Sequence, residues 1–275
     1  MAVWTKTIKE DRTMRNNTNT FKHLLAAAIT IAALAAGHST AWAQETTYSI
    51  KKTFFSGLNY SPEPVSSDYD NFYYAAGTVI TLTPTDAHKI IVSVSLSGTL
   101  NAVIASNRRS ATITMPAQNV TSGSVTQHEV YKVTLPEGIS LSGSGSNAII
   151  YTLDGETYCR YYTSSTWYTI VAPFGYVLNS ATYDGTAATT SSSGNIGFYI
   201  KRKDAVVTAK ATDCFGIGDG ADGTAEHPYI ITTTAGLTLL AKYSRNQTNG
   251  KYFELGADIA YTPNGSETEN NFDSI

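Results

Sequence analysis

Two stretches of this chain carry the same pattern in the same order. Val79-Ile80-Thr81-Leu82-Thr83-Pro84 alternates apolar and polar residues and stops at a proline. Residues 93–99 (SVSLSGT) follow, and then Ala111-Thr112-Ile113-Thr114-Met115-Pro116-Ala117-Gln118-Asn119-Val120-Thr121. Tyr168-Thr169-Ile170-Val171-Ala172-Pro173, residues 180–186 (SATYDGT) and residues 198–206 (FYIKRKDAV) keep that order and spacing while most identities change. Each copy also opens alike, on Thr47-Tyr48-Ser49-Ile50-Lys51 and on Val130-Tyr131-Lys132-Val133-Thr134. A period of two reads as half-buried strand. A proline at the strand end removes no ladder bond, because its missing N–H faces no partner there. An ordered repeat of such short strands predicts an all-β chain with two small domains in tandem, β-grasp-like or sandwich-like, in place of one continuous sheet. The 18 Tyr, 21 Gly and 15% charged residues fit strands joined by tight turns.

The first 43 residues follow a different logic. Lys6, Lys9, Arg12, Arg15 and Lys22 precede an apolar run at 24–36, and Ala41-Trp42-Ala43 stands ahead of Gln44. A basic flank, an apolar stretch and an A-x-A site predict a secretory signal peptide cleaved between Ala43 and Gln44. The apolar run is too short for a membrane helix, which needs about twenty residues, and His38 and Ser39 end it. The expected location is therefore extracellular or at the cell surface, with no membrane span after signal removal. The whole chain has a formal net charge of −3, and loss of the basic leader makes the remainder more acidic. No basic stripe offers itself to nucleic acid, and no nucleic-acid partner is expected.

The residues offer little chemistry. After the leader, His88, His128 and His227 are scattered, without metal-ligand spacing, and no G-x-S-x-G elbow occurs. No catalytic residue, metal or cofactor is expected. Asp219-Gly220-Ala221-Asp222-Gly223 reads as a turn, since it lacks the closing bidentate Glu of a calcium loop. Cys159 and Cys214 are the only cysteines, and in an exported chain they are either a disulfide or two buried free thiols. Tyr158, Tyr161, Tyr162, Trp167 and Tyr168 are the candidate ligand-binding residues: on one exposed strand face their rings could stack on sugars. The competing reading makes them ordinary core and strand residues.

Residues 113–121 (ITMPAQNVT), following a Gly-Thr turn, resemble the "MPA-x-[DN]-V" ending of bacterial surface repeats likened to listerial internalin B-type repeats. The resemblance covers residues 48–125 and more loosely 130–213, where Lys201-Arg202-Lys203 replaces Met-Pro-Ala. Such repeats are abundant in large exported proteins of gut Bacteroidetes, and the likeness implies a compact β spacer or adhesin stalk. Beyond Cys214 the glycines at 216, 218, 220 and 223 read as a flexible hinge, and Leu237, Leu240, Ala241 and Ser244 fall on one face of a short helix. The series G-T-A-x-x-P-Y-x-I, L-x-x-L-A, Y-F-x-L-x-x-D-I between 223 and 259 is similar to the entry segment of GLUG-motif proteins, secreted adhesins and some immunoglobulin-A-cleaving peptidases.

That likeness implies the cap of a right-handed β-solenoid, truncated at Ile275 before its array is built. Solenoid coils are stable only as an array, so residues past 214 are expected to be poorly ordered by themselves. The expected organisation is thus a signal peptide at 1–43, β repeats at 44–127 and 128–213, and an incomplete GLUG-type β-solenoid cap with one short helix at 214–275. The expected function is a non-catalytic adhesin-type stalk with surface glycans or proteins, of host or microbe, as partners. The alternative is a carbohydrate-binding module, or the stalk of a larger secreted glycan-degrading enzyme or peptidase.

Overall fold

A computed structural model of the chain describes residues 45–98, 102–243 and 245–259. The expected signal peptide with its Ala43–Gln44 boundary, Ser244 and residues 260–275 lie outside the described residues.

Among the described residues the chain is all-β with two short α-helices. The first repeat contains β1 (Thr47–Lys51), β2 (Leu58–Ser61), β3 (Ser66–Ser67), β4 (Asn71–Ala75), β5 (Val79–Pro84), β6 (Lys89–Leu96), β7 (Val103–Ile104) and β8 (Ala111–Thr114). A long strand, β9 (Gly123–Thr134), leaves it and enters the second. There follow β10 (Ser140–Gly143), β11 (Ile150–Leu153), β12 (Glu156–Tyr161), β13 (Trp167–Val171), β14 (Tyr176–Tyr183), β15 (Thr186–Ala187), β16 (Thr189–Thr190), β17 (Ile196–Tyr199) and β18 (Ala205–Asp213).

The two copies share one topology. The sheet β2-β5-β8-β7 of the first is matched by β10-β13-β17-β16 in the second, and β1-β4-β3 by β9-β12-β11. The antiparallel pair β6·β9 is matched by β14·β18, and the ladder shifts at the same point in each, between Ile91 and Ser93 and between Leu178 and Ser180. A bulge kept in both copies is a built feature of the unit. Alternation sorts the side chains: Ile80, Leu82, Ile113 and Met115 are buried in the first copy, and Tyr168, Ile170, Phe198 and Ile200 in the second. Burying each such side chain is worth about 1.5–3 kcal/mol. The first core adds Ile50, Tyr74 and Ile91 from the facing sheet, and the second adds Val133, Cys159, Tyr183 and Val207.

The ending that marks the repeat in sequence has a structural task. Asn119 Oδ1 accepts the Ser49 N–H at 2.9 Å, and Asp204 Oδ1 accepts the Lys132 N–H at 2.8 Å. The next residue then enters a parallel pairing, Val120 beside Ile50 and Ala205 beside Val133. The side-chain oxygen thus satisfies a backbone donor beside the point where the parallel pairing begins. This equivalence places Ile200, not Lys201, at the position of Met115, and both are buried. Lys201-Arg202-Lys203 therefore falls on Pro116-Ala117-Gln118, one residue from the placement expected at Met-Pro-Ala, because the anchor of the motif must be apolar.

After β18 the chain makes a tied turn where a flexible hinge was expected. The Asp213 carboxylate accepts the N–H groups of Phe215 at 2.9 Å and Gly218 at 2.6 Å. Gly223, at φ 81°, lies so close to the Tyr229 ring that a Cβ there would sit 2.4 Å from it. Next come β19 (Tyr229–Ile231), α1 (Thr234–Lys242), α2 (Arg245–Thr248) and β20 (Phe253–Leu255), with β19 and β20 parallel. Thr233 caps α1, its hydroxyl accepting the Gly236 N–H at 3.2 Å. Gly236 and Leu240 form the buried face, while Ala241 is exposed, contrary to its expected place on the apolar stripe.

This segment does not stand by itself. Its core of Cys214, Phe215, Tyr229, Ile231 and Leu240 draws in Phe174 and Val177 of the second repeat. The Tyr243 hydroxyl accepts the Gly175 N–H at 2.9 Å, and the Cys214 N–H donates to the Gly175 carbonyl at 2.8 Å. Cys159 and Cys214 belong to different cores and both are free, so no disulfide joins them.

Candidate functional site

The five aromatic residues singled out in sequence do not share a face. Tyr168 points inward from β13 and is 0% exposed. Its hydroxyl donates to the carbonyls of Arg160 at 2.8 Å and Ile149 at 3.0 Å, and burial pushes its pKa up. Tyr158, Tyr161 and Tyr162 lie on or just after β12, and each is faced by a guanidinium. Arg109 stands 5.5 Å from the centre of the Tyr158 ring, Arg202 4.7 Å from Tyr161 and Arg160 4.8 Å from Tyr162. These are cation–π contacts, and they occupy faces a sugar would need.

Two Arg–Tyr pairs, those of Arg108 and Arg109, belong to the seam between repeats. Arg108 and Arg109 come from the turn before β8 in the first repeat, yet they lie against Tyr151 and Tyr158 of the second. Arg108 donates to the Val92 carbonyl at 3.2 Å, and Arg109 to the carbonyls of Ala87 and Lys89. Beneath them Ile90 of the first repeat packs with Val130 of the shared strand and Leu153 of the second in a small core of its own. His128 Nδ1 is 2.5 Å from the Tyr151 hydroxyl. Burial, with the Arg160 and Arg108 charges, lowers the His128 pKa.

Trp167 is placed differently. It stands on the outer face of β13, directly across from Tyr199 on β17, with ring centres 4.9 Å apart and planes at 69°. Thr169, Gly197 and Thr189 form a cross-strand row beside this pair. A Cβ on Gly197 would meet the indole at 2.6 Å, so the ring lies against the glycine backbone. The indole Nε1–H donates to Thr169 Oγ1 at 3.2 Å. Together these contacts hold one rotamer.

The result is a cleft of about 430 Å³ walled by Trp167 and Tyr199, with Thr169, Thr189, Ser191 and Asn195 among its polar lining. The loop beyond β16 is tied to itself: Ser191 N–H donates to the Asn195 carbonyl at 2.8 Å, and Asn195 N–H donates to Ser191 Oγ at 3.1 Å. A smaller cleft of about 150 Å³ adjoins Tyr199, lined also by Tyr183 and Lys201. No Asp, Glu, His, Lys or Arg lines the larger cleft. Its chemistry is stacking and neutral hydrogen bonding.

Of the expected set, then, only Trp167 reaches this cleft. Tyr199, Asn195 and Ser191 are the members sequence reasoning missed. The available signal was a glycine between apolar strand residues beside the hydroxyl-rich run Thr189-Thr190-Ser191-Ser192-Ser193. Among the described residues no group of three His, Cys, Asp or Glu could hold a metal, and no helix is long and apolar enough to cross a membrane. Comparison of the chain with protein-family models, with curated proteins and with solved structures found no match.

Proposed function

We propose that this chain is an exported stalk of adhesin type, without catalytic activity, which carries a binding surface away from a bacterial cell. The observation that supports it best is the seam. Domains joined by a linker move independently unless a packed interface holds them. Here no linker exists: β9 pairs with β6 of the first repeat and with β12 of the second. The Ile90–Val130–Leu153 core and the Arg–Tyr pairs close the same junction. The next junction shares no strand but is also packed, since Phe174 and Val177 enter the core of the segment after Cys214. Export rests on residues 1–43, and the surface-repeat and GLUG resemblances support a cell-surface setting. A second reading, a carbohydrate-binding module of a larger secreted protein, is favoured by the Trp167–Tyr199 cleft.

The test has two separable parts. Spin labels on Asn59→Cys and Ser142→Cys, both exposed, report the distance between repeats, while the native thiols are buried. One narrow distance distribution is expected; a broad one means a hinged chain and ends the stalk reading. Intact cells producing the chain from Met1 should display it to an external antibody without permeabilisation, and retention inside refutes export.

A further inference from the structure

We infer that the outer face of the β10-β13-β17-β16 sheet holds a neutral pyranose unit of a glycan against Trp167 and Tyr199. A pyranose presents an apolar C–H patch and a fringe of hydroxyls. Aromatic walls suit the first, and a few placed hydroxyl and amide groups suit the second. The cleft supplies both, with Thr169, Thr189, Ser191 and Asn195 as the polar fringe. Its indole is set before any ligand arrives, because Gly197 and the Nε1–Thr169 bond fix it. Preorganisation of this kind lowers the entropy lost on binding.

The blander account makes Trp167 a cover for a bare glycine in a strand. That accounts for the indole, but not for Tyr199, which stays 51% exposed across from it, nor for the hydroxyl-rich loop at the same edge. Charge narrows the ligand class. No ionised side chain lines the cleft, and Lys201 lies in the smaller cleft that Tyr199 also lines, so a uronic or sialic acid would find no cation in the main site.

The inference rests on the carbohydrate-binding reading and names its ligand class. The spin-label experiment reads the seam and the one below reads the cleft, so either can fail without the other. The full chain has three tryptophans, Trp4, Trp42 and Trp167. With Trp4→Phe and Trp42→Phe, fluorescence reports Trp167 alone. The probes are methyl glycosides of glucose, galactose, mannose and N-acetylglucosamine, and short oligosaccharides of each. At least one should give a saturable change with a Kd on the order of a millimolar, as expected for so small a ligand. Tyr199→Ala and Asn195→Ala should each weaken it at least tenfold with unchanged circular dichroism. Should Tyr199→Ala disturb the fold, Asn195→Ala on the exposed loop decides. No saturable change with any probe, undiminished binding in Asn195→Ala, or binding that collapses with added salt overturns the assignment.

Discussion

Where the second repeat sets Trp167, Gly197 and Tyr199 on the outer face of its four-stranded sheet, the first sets Val79, Thr112 and Thr114 at the corresponding register. Thr189 is likewise replaced by Val103. The inner faces of the same strands behave differently. Ile80 answers to Tyr168, Leu82 to Ile170, Ile113 to Phe198 and Met115 to Ile200, and every one is buried. The fold requires one face of each strand to be buried and largely apolar, whatever the size of the side chain, and leaves the other free. One copy has kept a bland outer face, with Val79 and Val103 simply exposed, and the other has built a cleft there.

The largest test of that contrast strikes the inner face. Phe198 stacks on Tyr183 at 4.1 Å and 4°, and on Tyr168 at 5.9 Å. Phe198→Ala should cost about 3–5 kcal/mol, and Ile113→Ala about 2–5 kcal/mol, in urea denaturation. Val79→Ala on the outer face should stay within about 0.5 kcal/mol of the parent. If Val79→Ala proves as damaging as Ile113→Ala, the division between faces is wrong. A smaller effect is expected at the motif residue common to both copies. Asn119→Ala and Asp204→Ala should each lower Tm by about 2–4 °C, as suits one lost hydrogen bond in a chain of this size. Asp204→Asn should leave Tm nearly unchanged, because Asn119 already shows that an amide oxygen suffices. A large loss in Asp204→Asn would mean that the two copies use this position differently.

The contrast also explains what could be read in advance. Alternation along β5 and β13, prolines at strand ends and the ordered spacing of the copies made the tandem all-β organisation legible, since all are local properties. The aromatic set was not, because period two places Tyr168 and Trp167 on opposite faces, and which face is buried depends on the facing sheet. The arginines that cover Tyr158, Tyr161 and Tyr162 come from as far as Arg109 and Arg202, and no local pattern announces such pairings. Tyr199 and Asn195 join Trp167 only through the β13·β17 register. The hinge expected around Gly216–Gly223 failed for a related reason: glycines there permit close packing, as beside Tyr229, rather than freedom.

The smallest expected effect distinguishes the two seams. His128 pairs with Ile90 on β6, one residue before the bulge, and Thr212 pairs with Val177 at the same place on β14. The first seam therefore carries a titratable group where the second carries a hydroxyl, which accepts the Asn179 amide at 2.7 Å. A histidine whose folded pKa lies below its ordinary value of 6.5 binds fewer protons folded than unfolded. Its contribution is whole above pH about 6.5 and is lost as the pH falls through the lowered folded value. Protonation would put an imidazolium near Arg108 and Arg160, the charges that already oppose it. Tm should accordingly fall between pH 7 and pH 5, and fall less in His128→Gln. The spin-label distribution between Asn59→Cys and Ser142→Cys should broaden over that range, while one between Ser142→Cys and Glu226→Cys, across the second seam, should not. Equal broadening at both seams would show that acid loosens the chain generally and that His128 has no part in it.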